Sequence, residues 1–279
     1  MSRFTGKVAI ITGSSNGIGR GTALLFAQEG AKVTVTGRNE ARLQETKKQI
    51  LDSGVPEDHV LAVVADLSTE AGQDDLINST ITKFGKLDIL VNNAGAAFND
   101  EQFNTGVSQN ISVYDKVLQI NLRSVVTLTQ KAKDHLIASK GEVINVSSIA
   151  AGPQAAHTYM FYGMSKAALD QFTRSAAIDL IPHGVRVNAV SPGCVYTGIG
   201  EAMGMGEDGF TKIIKFMESR KECIPAGQAA QPVDIAYIIA FLADRKMSSY
   251  IIGQSIVADG GSSLIMGMQA HDMMDVLKA

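Results

Sequence analysis

The stretch that decides the fold is Val8-Ala-Ile-Ile-Thr-Gly-Ser-Ser-Asn-Gly-Ile-Gly19, in which a short β-branched run passes directly into a glycine-rich turn. Its glycines follow the spacing G-x-x-x-G-x-G, and an amphipathic pattern begins where the turn ends. Glycines there let the backbone bend sharply and approach a diphosphate closely, while the amides of a helix N-terminus favour an anion. The stretch predicts a dinucleotide site made by Gly13, Ser15, Asn16, Gly17, Ile18 and Gly19. A tight turn that binds no ligand is the alternative.

The rest of the chain alternates strand-like and helix-like patterns. Strands are predicted at residues 8–11, 32–36, 60–65, 87–92, 141–146, 186–191 and 255–258. Helices are predicted at residues 18–29, 39–53, 70–84, 112–138, 158–181 and 232–244. This order predicts one α/β domain over residues 1–279, with a Rossmann-type doubly wound parallel sheet of about seven strands and helices on both faces.

Three segments stand outside this alternation. Residues 96–111 form a polar loop rich in Asn and Gln. Residues 198–225 combine glycines with methionine and phenylalanine side chains, so the segment is either a substrate lid or an apolar surface that packs on the sheet or on another subunit. The tail, residues 262–279, carries several methionines; it covers the active site, clasps a neighbouring subunit, or frays.

Composition restricts the class of partner. The net charge is -3, so the chain lacks the excess of basic residues typical of proteins that bind nucleic acid. Hydrophobic residues make up 45% of the chain, as in an ordinary globular protein. No window reaches the ~18 apolar residues of a membrane span, and the run at residues 8–11 is too short for the core of a signal peptide. We therefore expect a cytoplasmic protein that acts on small molecules. Cys194 and Cys223 lack metal-ligand spacing and are expected to be reduced, with no metal site.

A second cluster of chemistry-bearing residues follows the fifth predicted strand. Tyr162 and Lys166 are four residues apart, which places the phenol and the ammonium on one helix face, and Ser148 lies at the end of the strand. A neighbouring ammonium is expected to lower the phenol pKa from about 10 toward neutrality, as an acid–base catalyst requires. A serine hydroxyl nearby would hold a carbonyl or alcohol oxygen. Because Tyr-x-x-x-Lys also occurs by chance, the functional interpretation depends on the other motifs.

The end of the second predicted strand indicates which dinucleotide binds. An NAD site usually has an acidic residue there, whereas this chain reads Val35-Thr36-Gly37-Arg38. Arg38, aided by Ser15 or Asn39, would form charge-assisted hydrogen bonds with a 2′-phosphate. The residues favour NADP(H) over NAD(H), and an arginine that only meets solvent is the alternative.

Taken in order, these motifs resemble those of the short-chain dehydrogenase/reductase family, in the compact branch that includes tropinone reductases and hydroxysteroid dehydrogenases. The glycine turn is followed by Asn92-Asn93-Ala94-Gly95, then by the serine, tyrosine and lysine. The resemblance implies further cofactor contacts at Asp66, Leu67, Asn93, Ala94, Gly95, Tyr162, Lys166, Pro192, Gly193, Val195 and Thr197. Asp259-Gly-Gly261 resembles the family's terminal strand end. The chain departs from the family at Asn16, where NADP-using members often have a basic residue.

The resemblance also implies a mechanism and an assembly. Tyr162 exchanges a proton with the substrate oxygen, Ser148 orients that oxygen, Lys166 tunes the tyrosine, and Asn121 holds a water in the proton relay. For Asn121, a contact that only shapes or caps the helix is the alternative. Tyr162 follows Ser148 by 14 residues where 13 is commoner, so a bulge is expected near His157 and Tyr159, facing either the substrate or the surface.

The activity expected from these residues is that of a carbonyl reductase for a largely apolar small molecule such as a steroid, a retinoid, an alicyclic ketone or a fatty carbonyl. A catalytically silent NADP(H) sensor or scaffold is the alternative. The family commonly forms tetramers through its two longest helices, to which Leu169, Phe172 and Ala176 would contribute, and a dimer stays open.

Overall fold

The computed structural model describes residues 2–266 and contains a seven-stranded sheet. The strands are β1 (Val8–Ile11), β2 (Lys32–Gly37), β3 (Val60–Val64), β4 (Ile89–Asn92), β5 (Glu142–Val146), β6 (Arg186–Pro192) and β7 (Ser255–Ala258). The α-helices are α1 (Gly17–Gln28), α2 (Glu40–Asp52), α3 (Glu70–Phe84), α4 (Ile111–Leu118), α5 (Ser124–Ser139), α6 (Met160–Leu180), α7 (Ile199–Ala202), α8 (Gly206–Glu218), α9 (Pro232–Ala243) and α10 (Arg245–Ser248). All seven predicted strands are present within two residues of their expected ends.

The strand order is β3-β2-β1-β4-β5-β6-β7, and every pairing is parallel. This order confirms the predicted doubly wound sheet. The chain reverses direction across the sheet between β1 and β4, and the carboxyl ends of these two central strands open a crevice there. In open α/β sheets ligands bind in such a crevice.

Side chains alternate between the two faces of the sheet, as the strand geometry requires. Ile11 and Val91 pack with α1, α2 and α9 on one face, whereas Ile10 and Leu90 pack with α3, α5 and α6 on the other. Residues on both faces are nearly all buried, so the central strands read as continuous apolar runs rather than alternating ones.

The predicted helix 112–138 is interrupted. A π-helical turn, Gln119–Arg123, separates α4 from α5 and contains the fully buried Asn121. Such a turn holds one extra residue, and isolated π turns inside helices are frequent at functional sites. Periodicity could not have shown it, because the apolar pattern resumes after the turn.

The 198–225 segment is largely helical, which the sequence analysis did not predict. Its glycines suggested a loop, but α8 carries an apolar stripe in which Ile214 is buried against Ile224 and Ala229. Part of the segment therefore packs on the domain, which agrees with the alternative in which its apolar side chains form a packing surface. Of the tail 262–279, the structure describes Ser262 to Met266, with a 3-10 turn at Ser262–Leu264, and residues 267–279 lie outside the described residues.

Leu169 on α6 is 1% exposed and packs inside the chain, so the prediction that it contributes to a subunit seam is wrong. Between residues 2 and 266, no helix has the length and apolar character needed to cross a membrane.

Candidate active site

A groove of about 870 Å³ runs along the carboxyl ends of the strands. It begins at the glycine turn and the end of β2, passes β3 and β4, and ends beside β5, α6 and the residues after β6. All the predicted catalytic and cofactor residues line it except Gly19 and Asn121. The sequence motifs, distant along the chain, are thus gathered at one edge of the sheet.

The glycine turn is built against the loop after β4. Gly13 has a φ of +63°, and a Cβ there would lie 2.8 Å from the Cα of Ala94. The Thr12 hydroxyl accepts hydrogen bonds from the backbone amides of Asn93 (2.8 Å) and Ala94 (2.9 Å). The Asn93 side-chain amide donates to the carbonyl of Thr12 at 2.8 Å. This backbone cradle, which a side chain would fill, fits the diphosphate of a dinucleotide.

The first turn of α1 faces the groove with its amides uncapped by a side chain. Asn16 is the N-cap residue in an extended conformation, and its side chain makes no capping hydrogen bond. Gly19 lies beneath the turn, where a Cβ would come within 2.4 Å of the Gly13 carbonyl oxygen. The open helix N-terminus favours an anion, and Gly19 permits the close packing that presents it.

Arg38 lies exposed at the groove wall, directly after β2, beside Ser15 and Asn39. No carboxylate occupies the end of β2 in the structure, as the sequence indicated. Asp66, after β3, accepts hydrogen bonds from the amide (2.9 Å) and hydroxyl (2.7 Å) of Ser68. These hydrogen bonds lower the pKa of Asp66, and the charge of Arg38 lowers it further.

At the other end of the groove lie Ser148 and Tyr162, and the Ser148 hydroxyl accepts a hydrogen bond from the backbone amide of Ala150 at 3.1 Å. The Lys166 Nζ atom donates to the Val146 carbonyl oxygen at 2.8 Å. Burial raises the pKa of Tyr162, and the nearby Ser148 hydroxyl acts in the opposite direction. Burial also lowers the pKa of Lys166 to about 8, opposed by the charge of Asp170. The expectation that the lysine lowers the tyrosine pKa is therefore corrected, because desolvation of the phenol dominates.

Asn121 does not line the groove, because its side chain is fully engaged behind it. Its amide oxygen accepts from the backbone amide of Ala96, and its amide nitrogen donates to the Ala96 carbonyl, both at 2.8 Å. The same nitrogen donates to the Ser165 hydroxyl at 3.1 Å. The side chain thus ties the π-helical turn to the loop after β4, through backbone groups 25 residues away rather than by the local contact given as the alternative. Its part in a proton relay stays a prediction.

The bulge expected before Tyr162 is a 3-10 turn, His157–Tyr159. His157 is exposed, whereas Tyr159 is half-buried. At the opposite wall, the backbone amide of Gly193 donates to the Ala258 carbonyl at 3.0 Å, which places Asp259-Gly-Gly261 behind the residues after β6.

Two charged residues of the groove are absent from the predictions made on the sequence. Arg42 on α2 and Glu201 on α7 both line it. Arg42 follows Arg38 by four residues, a spacing that sequence reasoning could have used. Glu201 could not have been found, since the helix that presents it was not predicted.

Comparison with known proteins agrees with this geometry. Residues 13–263 match the family model described as enoyl-(acyl carrier protein) reductase. A solved short-chain dehydrogenase/reductase of unknown function from Caenorhabditis elegans, with cofactor, is 61% identical, with a TM-score of 0.95 and coverage of 97% of this chain and 100% of that one. The glucose dehydrogenase of Caenorhabditis elegans in its apo form is 56% identical, with a TM-score of 0.82 and coverage of 94% and 100%.

A more distant relative is tropinone reductase-like 3 of Erythroxylum coca, which is 33% identical over 260 residues, covering 93% of this chain and 94% of the relative. The family expected from the motifs is confirmed over nearly the whole length. The chain belongs to the short-chain dehydrogenase/reductase family and is an oxidoreductase that uses a nicotinamide cofactor.

Proposed function

We propose that the protein is an NADP(H)-dependent enzyme that interconverts a carbonyl group and a secondary alcohol on a largely apolar small molecule. The observation that carries this proposal is that Ser148, Tyr162 and Lys166 meet at the end of the groove opposite Arg38, with the Lys166 Nζ atom 5.6 Å from the centroid of the Tyr162 ring. An acid–base pair and an arginine suited to phosphate share one groove, as a dinucleotide-dependent reaction requires.

The cofactor would be held by residues distributed along the groove. The backbone of the glycine turn and the first amides of α1 would bind the diphosphate. Arg38, with Ser15 and Asn39, would bind the 2′-phosphate, because a guanidinium forms charge-assisted hydrogen bonds with phosphate oxygens. The remaining contacts would come from Asp66, Leu67, Asn93, Ala94, Gly95, Lys166, Pro192, Gly193, Val195 and Thr197.

When bound, a nicotinamide cofactor supplies a hydride to the carbonyl carbon or removes one from the alcohol. In the reduction, the Tyr162 hydroxyl gives its proton to the substrate oxygen, which the Ser148 hydroxyl orients. The raised pKa of Tyr162 keeps the phenol protonated at neutral pH, and this suits proton donation. Lys166, with a pKa of about 8, is still largely charged at neutral pH and stabilises the tyrosinate that forms.

The apolar side chains of the groove wall support an apolar substrate. Met203 and Phe210 of the 198–225 segment line the groove together with Cys194. Burial raises the pKa of the Cys194 thiol to about 11, so it presents a neutral, weakly polar surface. We assign the 198–225 segment as the substrate lid on these contacts.

We also propose that the protein is a homo-oligomer. On α6, Met164 and Ile178 are 48% and 71% exposed. Large apolar side chains on one long helix support association with another subunit, although they do not distinguish a dimer from a tetramer.

The function is tested by following NADPH oxidation with purified protein across a panel of apolar carbonyls and, because one relative is a glucose dehydrogenase, by following NADP⁺ and NAD⁺ reduction with sugars. The Tyr162→Phe variant keeps the ring and removes the acid, so we expect its turnover to fall by about 10²- to 10⁴-fold. Tight NADPH binding without turnover on any member of the panel would favour the sensor. Turnover confined to sugars would overturn the apolar substrate.

A further inference from the structure

Helix α7 lies across the groove and is fixed at both ends. At its start, Gly198 packs on the glycine turn, since a Cβ at Gly198 would lie 2.7 Å from the Nδ2 atom of Asn16. At its end, the Met203 carbonyl accepts a 2.7 Å hydrogen bond from the side chain of Asn99. The first contact is with the glycine turn and the second is with the loop after β4, so α7 spans the groove.

Between these contacts, Glu201 binds Arg42. The two carboxylate oxygens each accept a 2.6 Å hydrogen bond from one terminal nitrogen of the guanidinium, which gives a bidentate pair between α7 and α2. The residues are 159 positions apart in sequence, and both line the groove. The hydrogen bonds from Arg42 lower the pKa of Glu201, so the carboxylate is charged at neutral pH.

We propose that Glu201 and Arg42 are positioning residues that hold α7 across the cofactor groove and thereby determine how long the cofactor stays bound. The inference rests on the proposed function in one respect, that the groove holds a nicotinamide cofactor. Helix α7 has four residues, too few for a stable helix by itself, so tertiary contacts must fix it. A bidentate arginine–carboxylate pair restricts orientation as well as distance, which a single contact does not. Separating this pair would loosen α7 over the groove and so speed the release of a cofactor bound there.

The first test uses the protein without cofactor. Hydrogen–deuterium exchange of the backbone amides of α7 is compared between wild type and Glu201→Gln. The matched control is Glu29→Gln, since Glu29 makes a bidentate pair with Arg3 that does not line the groove. Because an exposed ion pair contributes up to about 1 kcal/mol, we expect the α7 amides to exchange about two- to five-fold faster in Glu201→Gln than in wild type. In Glu29→Gln we expect their exchange to be unchanged. Equal exchange in the two variants would overturn the proposal.

The second test measures release of NADPH and of NADH by stopped-flow fluorescence. We expect Glu201→Gln to release both cofactors about two- to five-fold faster than wild type. The double variant Glu201→Gln/Arg42→Gln should release them no faster than the faster of the two single variants, because both substitutions break the same pair. NADH serves as the control for a direct contact of Arg42 with the 2′-phosphate, because it lacks that group. Slower or unchanged release in Glu201→Gln would overturn the proposal.

The two tests also separate this inference from the function it rests on. A wild type that binds neither NADPH nor NADH would contradict the proposed function and the assigned effect on cofactor release. The exchange experiment would still decide whether the Arg42–Glu201 pair holds α7.

Discussion

The Nζ atom of Lys166 lies 5.6 Å from the centroid of the Tyr162 ring, over its face. The ammonium is thus placed against the aromatic ring and the Val146 carbonyl, with Lys166 buried and Tyr162 half-buried at the groove. Burial disfavours the charged form of each group, so it raises the pKa of the phenol and lowers that of the ammonium. Burying the charged form of Lys166 lowers the free energy of unfolding, and the size of this effect depends on pH because the lysine titrates.

The pH dependence of that effect is the first prediction. The pKa of Lys166 is about 8 in the folded protein and 10.5 for an ordinary lysine, so between these values the unfolded chain binds a proton that the folded one does not. Stability therefore rises with pH over this window. Measured by urea unfolding, wild type should gain about 2–3 kcal/mol relative to Lys166→Met between about pH 7.5 and about pH 10. The exposed Lys212 provides a control, since Lys212→Met should run parallel to wild type. Parallel curves for Lys166→Met would contradict the prediction.

The second prediction concerns cofactor selectivity. Removing the Arg38 guanidinium removes the charged donor next to the proposed 2′-phosphate position, and hydrogen bonds to charged groups are worth about 1.5–3 kcal/mol. Arg38→Ala should weaken NADPH binding by about 10- to 100-fold while leaving NADH binding within about two-fold. Calorimetric titration of both cofactors measures this directly, with NADH as the internal control. Equal loss for the two cofactors would show that Arg38 does not select the phosphate.

The third prediction concerns the base of the glycine turn. A methyl group in Gly19→Ala would lie 2.4 Å from the Gly13 carbonyl oxygen and 2.5 Å from Nδ2 of Asn93, so the turn must shift. Overpacking of this kind costs about 1–3 kcal/mol of stability. We expect NADPH affinity to fall at least about 10-fold, although Gly19 itself does not line the groove. Urea unfolding and cofactor titration on the same sample separate the two effects. A folded Gly19→Ala protein with unchanged affinity would contradict the cradle geometry.

Much of the fold follows from short-range patterns in the sequence. The runs at β1, β4 and β5 are apolar on both faces and β-branched, which identifies buried parallel strands without knowledge of their partners. The helix ends are marked as well, by Asn39 and Thr69, whose side chains cap α2 and α3. Because parallel strands end at one edge, placing the motifs after the strands was enough to gather Tyr162, Arg38 and the glycine turn in one groove.

The features that sequence reasoning missed depend on tertiary contacts. The π-helical turn is tied through Asn121 to the backbone of Ala96, a partner 25 residues away that spacing along the helix does not report. The pKa of Tyr162 depends on how deeply it is buried, and spacing from Lys166 does not report burial. Glu201 meets Arg42 only because α7 folds over the groove.

The last prediction concerns the amino edge of the sheet, opposite the groove. Glu142 and Arg186 begin the adjacent strands β5 and β6 and pair directly, with Arg186 2% exposed and its terminal nitrogen 2.9 Å from the Glu142 carboxylate. The Arg186 guanidinium also donates to the carbonyls of Ser248, Ile251 and Leu242. Arg245, 40% exposed, binds the other oxygen of the same carboxylate at 2.7 Å.

These two arginines form a matched pair of test sites because they share one partner and differ in burial. Arg186→Met removes a buried donor from several acceptors at once, and breaking a buried pair typically costs about 3–5 kcal/mol. Arg245→Met should cost about 1–2 kcal/mol, since solvent can replace part of its hydrogen bonding. Urea unfolding at neutral pH measures both, and cofactor affinity should be unchanged in each folded variant because the edge is remote from the groove. Equal losses of stability would mean that burial does not set the strength of this network.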